Sequence, residues 1–339
     1  AECAYKSSAY TPIFFKPDTA FTAWSNLGGY ANGIPADETQ GFVWSAIPDD
    51  VKADIASRRW PLGGDSSAPA GTIRFNKVSR MVTGEYIDLE LFVLDSYEAH
   101  NADRNNIASP SSAFVNINLK TPNVPASEGG SQVTLRLQFF EHDDRCGGAG
   151  PLVNDFSTWD MSACDTPIVV PEFIITVADL DTGRLAVDSS GSFFRPTETF
   201  QIWNATRTIL SHPTTQLIAT EEELDGERTT IVRHVCDAPD DWAYIVACQV
   251  DNPTGNPDEL GTEQQQAAAA FQFESADHVT LRYSLTGGDT VGGGRNFLFA
   301  GESNVLPECP FPPPAPPPAP PAPPKPPPQS PPSPREPPT

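Results

Sequence analysis

Alternation of apolar and polar residues dominates the first 309 residues and commits that stretch to β-structure. A strand turns successive side chains to opposite faces, so a period of two gathers one apolar set on one side. Ile87, Leu89, Leu91 and Val93 alternate with Tyr86, Asp88, Glu90 and Phe92. Val115, Ile117 and Leu119 alternate with Asn116 and Asn118, and Val133, Leu135, Leu137 and Phe139 with Thr134, Arg136 and Gln138. Further runs lie at 173–179, 229–235, 242–250, 279–285 and 296–300, separated by turn clusters such as Glu128-Gly129-Gly130-Ser131 and Gly287-Gly288-Asp289. One apolar and one mostly wet face per run predicts antiparallel sheets packed face to face. The expected fold is all-β: an antiparallel β-sandwich, jelly-roll-like. Helical signal is confined to Asp49–Ala56, whose acidic start suits a helix N-terminus, and to a turn or two over Gln264–Ala270.

The last 30 residues follow another rule. Of 37 prolines, 19 lie in 310–339. Proline fixes φ and has no N–H, so this stretch joins neither a helix nor a central strand. It is expected as a C-terminal polyproline II tail, rising about 3.1 Å per residue. The organisation predicted is a disulfide-bonded body, 1–309, followed by the tail, 310–339. The Pro- and Asp-containing region 141–171 is where the body would divide if it were two subdomains, whereas a bond between its end cysteines would favour one closed unit.

Charge and cysteines narrow the class. The formal net charge is −23, and Lys325 and Arg335 against Glu336 leave the tail at +1. Without a basic cluster the chain is not expected to bind nucleic acid, whose phosphates need Lys/Arg neutralisation. No run approaches the 18 or so apolar residues of a membrane span. The chain begins Ala1-Glu2-Cys3 without Met, as expected after a signal-peptidase cut. The six cysteines show no zinc spacing and allow many pairings. Proximity favours Cys146–Cys164 and Cys236–Cys248, leaving Cys3 and Cys309 at the two ends of the body. Asn204-Ala205-Thr206 is an N-glycosylation sequon, while Asn252-Pro253-Thr254 is blocked by its proline. Together these features predict a secreted glycoprotein.

Candidate chemistry is sparse. There is no GxSxG elbow, and His100, His142, His212, His234 and His278 are scattered, so the chain is read as non-enzymatic. No cofactor is required. Carboxylates near strand ends, Asp179 and Asp181 in one place and Asp143 and Asp144 in another, are the candidate ligands for a hard Ca²⁺ ion, although neither pair sits in an EF-hand loop. Trp24, Trp44, Trp60, Trp159, Trp203 and Trp242 are candidates for an aromatic groove of the kind that binds polyproline II.

The tail, with its PPPAPPPAPPAPPKPPPQSPPSP run, resembles the rods of hydroxyproline-rich glycoproteins of the green-algal extracellular matrix and cell wall, pherophorin-like proteins in particular. In the body, Gly84–Leu89, Ala113–Leu119 and Thr176–Asp181 resemble a strand series of large secreted β-sandwich proteins, flagellar-hair (mastigoneme-type) fibril glycoproteins among them. The resemblance implies proline hydroxylation and O-linked sugars at Pro312, Pro313, Pro314, Pro316, Pro317, Pro318, Pro326, Pro327 and Pro328, with Ser330 and Ser333 likewise glycosylated. It also implies a structural, non-enzymatic subunit of an extracellular fibril, wall or matrix, located in the matrix, the cell wall or on the flagellar surface. Such a subunit would form homopolymers, with its glycosylated tail contacting neighbouring subunits. Attached glycans, other matrix proteins and wall polysaccharides are the further partners implied. A carbohydrate-binding or Ca²⁺-dependent adhesin module is the alternative on the same scaffold.

Overall fold

A computed structural model describes residues 10–15, 20–27, 48–62, 67–109, 112–121, 130–148, 158–181, 186–187, 193–194, 197–211, 215–235, 253, 256–286, 294–303 and 305. The chain divides into two compact units, Ala1–Pro307 and Glu308–Thr339, and every described residue belongs to the first. The tail positions, with Cys3, Cys236, Cys248 and Cys309, lie outside the described residues, as do Trp44, Trp242 and the run 242–250.

Strand β1 (Phe21–Ser25) is followed by helix α1 (Asp49–Ser57) and then by β2 (Thr72–Arg80) and β3 (Tyr86–Val93). Next come β4 (Asn106–Ser109), β5 (Ser112–Lys120), β6 (Gly130–Glu141), β7 (Val170–Ala178) and the short β8 (Ala186–Val187) and β9 (Phe193–Phe194). β10 (Thr197–Trp203) and β11 (Arg207–Leu210) precede the hairpin of β12 (Leu217–Leu224) and β13 (Glu227–His234). Helix α2 (Thr262–Gln266) leads into β14 (Ala269–Ala276), β15 (His278–Thr286) and β16 (Gly294–Ala300). An eight-stranded sheet has the order β1-β2-β3-β6-β15-β10-β13-β12, and a six-stranded sheet the order β11-β14-β7-β16-β5-β4. The pairings in both are antiparallel. The chain repeatedly passes between sheets, as from β5 to β6, β6 to β7, β10 to β11 and β14 to β15. This is the expected sandwich.

The alternating apolar sets face each other across the two sheets. Leu89, Leu91, Leu135, Leu137, Leu281 and Val232 from the larger sheet join Val115, Ile117, Ile175, Phe271 and Phe299 from the smaller one in a single buried cluster. Aromatic rings key the layers together: Phe139 meets Phe173 at 4.8 Å, Tyr283 meets Phe297 at 5.1 Å and Phe200 meets Phe271 at 5.3 Å between centroids. Each such side chain contributes about 1.5–3 kcal/mol by leaving water. The β12–β13 hairpin closes through Asp225 (φ 55°) and Gly226 (φ 81°), a two-residue turn that needs positive φ at both positions.

The opposite face of β3 is not wet, contrary to the alternation pattern: Asp88, Glu90 and Phe92 are fully buried. Helix α1 and the segment around Cys146 and Cys164 roof this half of the eight-stranded sheet. Val51 and Ile55, four residues apart on one helical face, pack with Ala23, Trp24 and the two cysteines. Cys146 and Cys164 are disulfide-bonded, the proximal pairing read from the sequence. At Gly147 (φ +77°) a Cβ would lie 2.5 Å from the Ala23 Cβ, so only glycine lets the roof approach this closely.

A charged network fastens roof to sheet. Glu90 accepts from Arg58 Nε and Nη2, both at 2.7 Å, and from Arg74 Nη1 at 3.2 Å. Arg74 Nη2 donates to Asp88 at 2.9 Å and its Nη1 to the Cys164 carbonyl at 3.0 Å. Asn76 donates to the Cys146 carbonyl at 2.7 Å, and Arg58 also reaches Asp165 at 2.9 Å. Burial disfavours the Arg58 cation, but Glu90 and Asp165 outweigh it and raise its pKa further.

The helical reading of Gln264–Ala270 needs a correction. The helix ends at Gln266, and Ala269 and Ala270 already belong to β14. Ala267 to Ala270 are fully buried, so the small side chains fill space between packed elements and tertiary context overrides alanine's helix propensity.

Candidate functional site

The roof covers β1, β2 and β3, whereas a groove of about 390 Å³ opens where two sheet-to-sheet crossings meet. One crossing is Asn204–Thr206, between β10 and β11. Asn204 (φ 59°) donates its N–H to the Arg228 carbonyl at 2.8 Å, and Thr206 donates to the Gln272 carbonyl at 2.8 Å. The other is Asp277, between β14 and β15. Its carbonyl accepts from Phe139 N at 2.9 Å and from Gln138 Nε2 at 2.8 Å. Both crossings are thereby tied to neighbouring strands.

Trp203, Arg136, His278 and Thr280 line the groove from the eight-stranded sheet, Asn204 and Glu227 from the first crossing and the hairpin. Phe273, Glu274, Ser275, Ala276 and Asp277 complete it from β14 and the second crossing. Trp203 is only 8 % exposed, with the Arg282 guanidinium 5.5 Å from its ring centroid. It therefore forms a wall and not an open stacking platform. Arg136 is held from two sides: its guanidinium stacks 3.7 Å from the Trp60 centroid, and its Nε and Nη2 donate to Gln138 Oε1 at 3.1 Å. Burial pulls the Arg136 pKa down, partly offset by the Asp277 carboxylate. For Asp277 burial acts upward, but the His278 imidazole at 2.6 Å prevails and lowers it. Ser275 adopts φ 51°, a left-handed conformation uncommon for a residue with a side chain.

These residues place donors (Arg136, Asn204, Ser275, Thr280) and acceptors (Glu227, Glu274, Asp277) beside an aromatic wall, with Asn204 Nδ2 donating to Glu227 Oε1 at 3.1 Å. The groove thus presents hydrogen-bonding groups of both kinds. Its volume falls at the lower end of ligand pockets, about 300–1,000 Å³.

The carboxylate pairs named from the sequence lie elsewhere. Asp143 pairs with Arg145 at 2.7 Å, and bonds from that residue lower its pKa to about 2. Asp144 contacts His142 Nε2 at 2.9 Å and Lys77 at 3.3 Å. Burial opposes protonation of His142, yet Asp88 on Nδ1 at 2.8 Å and Asp144 outweigh it and raise its pKa. Asp179 and Asp181 are buried near Glu198, whose Oε2 accepts from Asp181 N at 3.3 Å. Arg295 approaches Asp181 at 3.6 Å and Glu198 at 3.9 Å. Burial, then Asp181 and Asp179, push the Glu198 carboxyl well above its ordinary value, against the pull of Arg295. Among the described residues no three His, Cys, Asp or Glu side chains are grouped so as to hold a metal ion.

Of the tryptophans, Trp24 is fully buried beneath the roof, Trp159 packs beside it, and Trp60 and Trp203 reach the groove region. His234 and His278 are hydrogen-bonded strand residues, to Gln216 at 2.9 Å and Asp277 at 2.6 Å. Burial drops the His234 pKa to about 4, keeping that imidazole neutral. Asn204 is exposed, as a sequon asparagine must be to accept a glycan. Sequence reasoning did not single out Arg136, Glu227, Glu274 and Asp277 as a group. The available signal was local: Asp225-Gly226 marks the hairpin that presents Glu227.

No family model and no curated protein matches the chain. Among solved structures it is similar to glucan-binding protein C of Streptococcus mutans, with a TM-score of 0.37 and 11% identity over 88% of this chain and 78% of that one. That protein is described as mediating sucrose-independent and sucrose-dependent adherence. A likeness this distant carries no argument about function.

Among the described residues, no helix is long and apolar enough to cross a membrane.

Proposed function

We propose that the chain is a non-enzymatic, extracellular glycan-binding protein of a wall or matrix, and that its sandwich is the recognition head. The observation that carries this reading is the groove at the two crossings. Arg136, Asn204, Glu227, Glu274, Ser275, Asp277 and Thr280 converge there beside Trp203. Sugars are recognised by mixed donors and acceptors beside an apolar wall, whereas nothing in the arrangement demands a single charged ligand. The Cys146–Cys164 bond supports an oxidising compartment. The likeness of the proline-rich tail to algal matrix glycoproteins supports an extracellular setting.

A second reading, a self-associating fibril subunit, is favoured by the 19 prolines of 310–339. A stiff, glycosylated tail suits contact between subunits.

One experiment addresses both. The full chain, a Thr280→Tyr variant that fills the groove from a strand position, and a chain lacking 310–339 are compared for binding to soluble wall polysaccharides and for light scattering. The glycan-binding reading expects saturable binding that Thr280→Tyr weakens at least tenfold. Equal binding by the filled groove, or none by the parent, overturns it. The fibril reading expects assembly that disappears with the tail, and unchanged scattering overturns that.

A further inference from the structure

Asn204 belongs to two features at once. It is the asparagine of the only unblocked sequon, and it lines the groove next to Trp203 and Glu227. Its side chain is exposed, but it does not point freely into solvent: Nδ2 donates to Glu227 Oε1 at 3.1 Å, across to the hairpin that forms one side of the groove. Any group attached to this nitrogen therefore starts at the groove mouth.

We propose that an N-linked glycan at Asn204 occupies this groove, so that use of one sequon sets whether the head is open to external saccharide. The inference rests on the reading of the groove as a saccharide site. In the transfer, Asn204 Nδ2 attacks C1 of an oligosaccharide carried on a lipid pyrophosphate. The Nδ2–C1 bond forms, the bond from C1 to the phosphate oxygen breaks, one Nδ2 proton is released, and the lipid pyrophosphate leaves. A primary amide nitrogen carries two hydrogens, so one remains after transfer. That hydrogen can keep the bond to Glu227 and pin the first sugar over the groove. Beyond it the sugar hydroxyls meet Glu274, Asp277 and Arg136, the groups that serve a soluble ligand.

Tethering makes the competition unequal. A ligand held on a short linker acts at an effective concentration in roughly the millimolar range. A soluble saccharide with an affinity of about 0.1 mM or tighter then loses at least about tenfold in apparent affinity when the tethered sugar binds equally well.

Thr206→Ala removes the sequon while leaving Asn204 and the groove residues in place, since Thr206 is exposed and the substitution keeps its backbone N–H bond to the Gln272 carbonyl. The full chain and Thr206→Ala are made in a glycosylating secretory host, and mass spectrometry reads occupancy of Asn204. Amide hydrogen exchange is followed over 203–206, 226–228 and 273–280, with N,N′-diacetylchitobiose as the soluble probe. The expected result is an occupied Asn204, slower exchange in those segments than in Thr206→Ala, and probe binding at least tenfold tighter in Thr206→Ala. An unmodified Asn204, or an occupied one with exchange and probe binding equal to Thr206→Ala, overturns the proposal. Slower exchange in the glycosylated chain, with no soluble sugar bound by Thr206→Ala, supports occupancy by the chain's own glycan. The same result overturns the reading of the head as a receptor for external glycans.

Discussion

Replacing Glu90 by Ala tests whether the roof over the eight-stranded sheet is fastened by its buried charges. Glu90 is fully buried and accepts three guanidinium bonds, two from Arg58 and one from Arg74. Removing one member of a buried ion pair costs about 3–5 kcal/mol, chiefly because the remaining charge is left uncompensated. Here each guanidinium keeps another carboxylate, Asp88 for Arg74 and Asp165 for Arg58. That places the expectation at the lower end, about 3 kcal/mol. Urea unfolding of the full, oxidised chain measures it. With a slope of about 3 kcal/mol per molar, the midpoint should fall on the order of 1 M. The effect should also reach the groove. Arg58 stands two residues before Trp60, and Trp60 stacks on Arg136, so a loosened Arg58 should alter the tryptophan emission and speed exchange at 58–62. A cost below about 1 kcal/mol, the range of exposed pairs, would refute the reasoning. So would strict additivity of Arg58→Ala and Glu90→Ala, because residues sharing a bond should couple.

Two further outcomes follow from the interior. The folded chain binds the Glu198 proton more tightly than the unfolded chain, since burial, Asp181 and Asp179 raise that carboxyl. The stability it contributes is therefore present below the ordinary glutamate value, about 4.3, and is lost as pH rises through the folded value. Glu198→Gln should gain on the parent by about 1–3 kcal/mol on going from pH 4 to neutral, and a pH-independent difference in unfolding free energy would contradict this. Cys146→Ala/Cys164→Ala opens a loop of sequence separation 18, which should cost about 3 kcal/mol in the same urea assay. A loss under about 1 kcal/mol would mean that the roof holds without its covalent link.

How much was legible varied with the range of the interaction. The strand runs were readable because a period of two is a local property, and β3, β5, β6 and β15 carry it almost without interruption. The Cys146–Cys164 bond was readable because the two residues are near in sequence. Asp88 and Glu90 were misread as wet because polarity signals solvent only on average. What buries them is a helix and a disulfide-bonded pair of segments supplied from residues 49–58, 146–148 and 158–165. Ala267–Ala270 misled for the same reason, since strand pairing of Ala269 and Ala270 with Val177 and Thr176 outweighs a small helix preference. Asp179 and Asp181 meet Glu198 and Arg295, a neighbourhood that no local pattern announces.

The sequence by itself determined the sandwich, because many alternating runs with almost no amphipathic helix to cover them bury their apolar faces by stacking sheets, and it set the proline-rich stretch apart, because a run of prolines cannot donate to a ladder. Tertiary structure alone decided the groove. Arg136, Trp203, Glu227 and Asp277 lie on separate strands and turns, and no local pattern links them. They meet because the chain crosses between sheets twice at one place, at Asn204 and at Asp277, and a crossing leaves strand ends that the sheets themselves cannot cover.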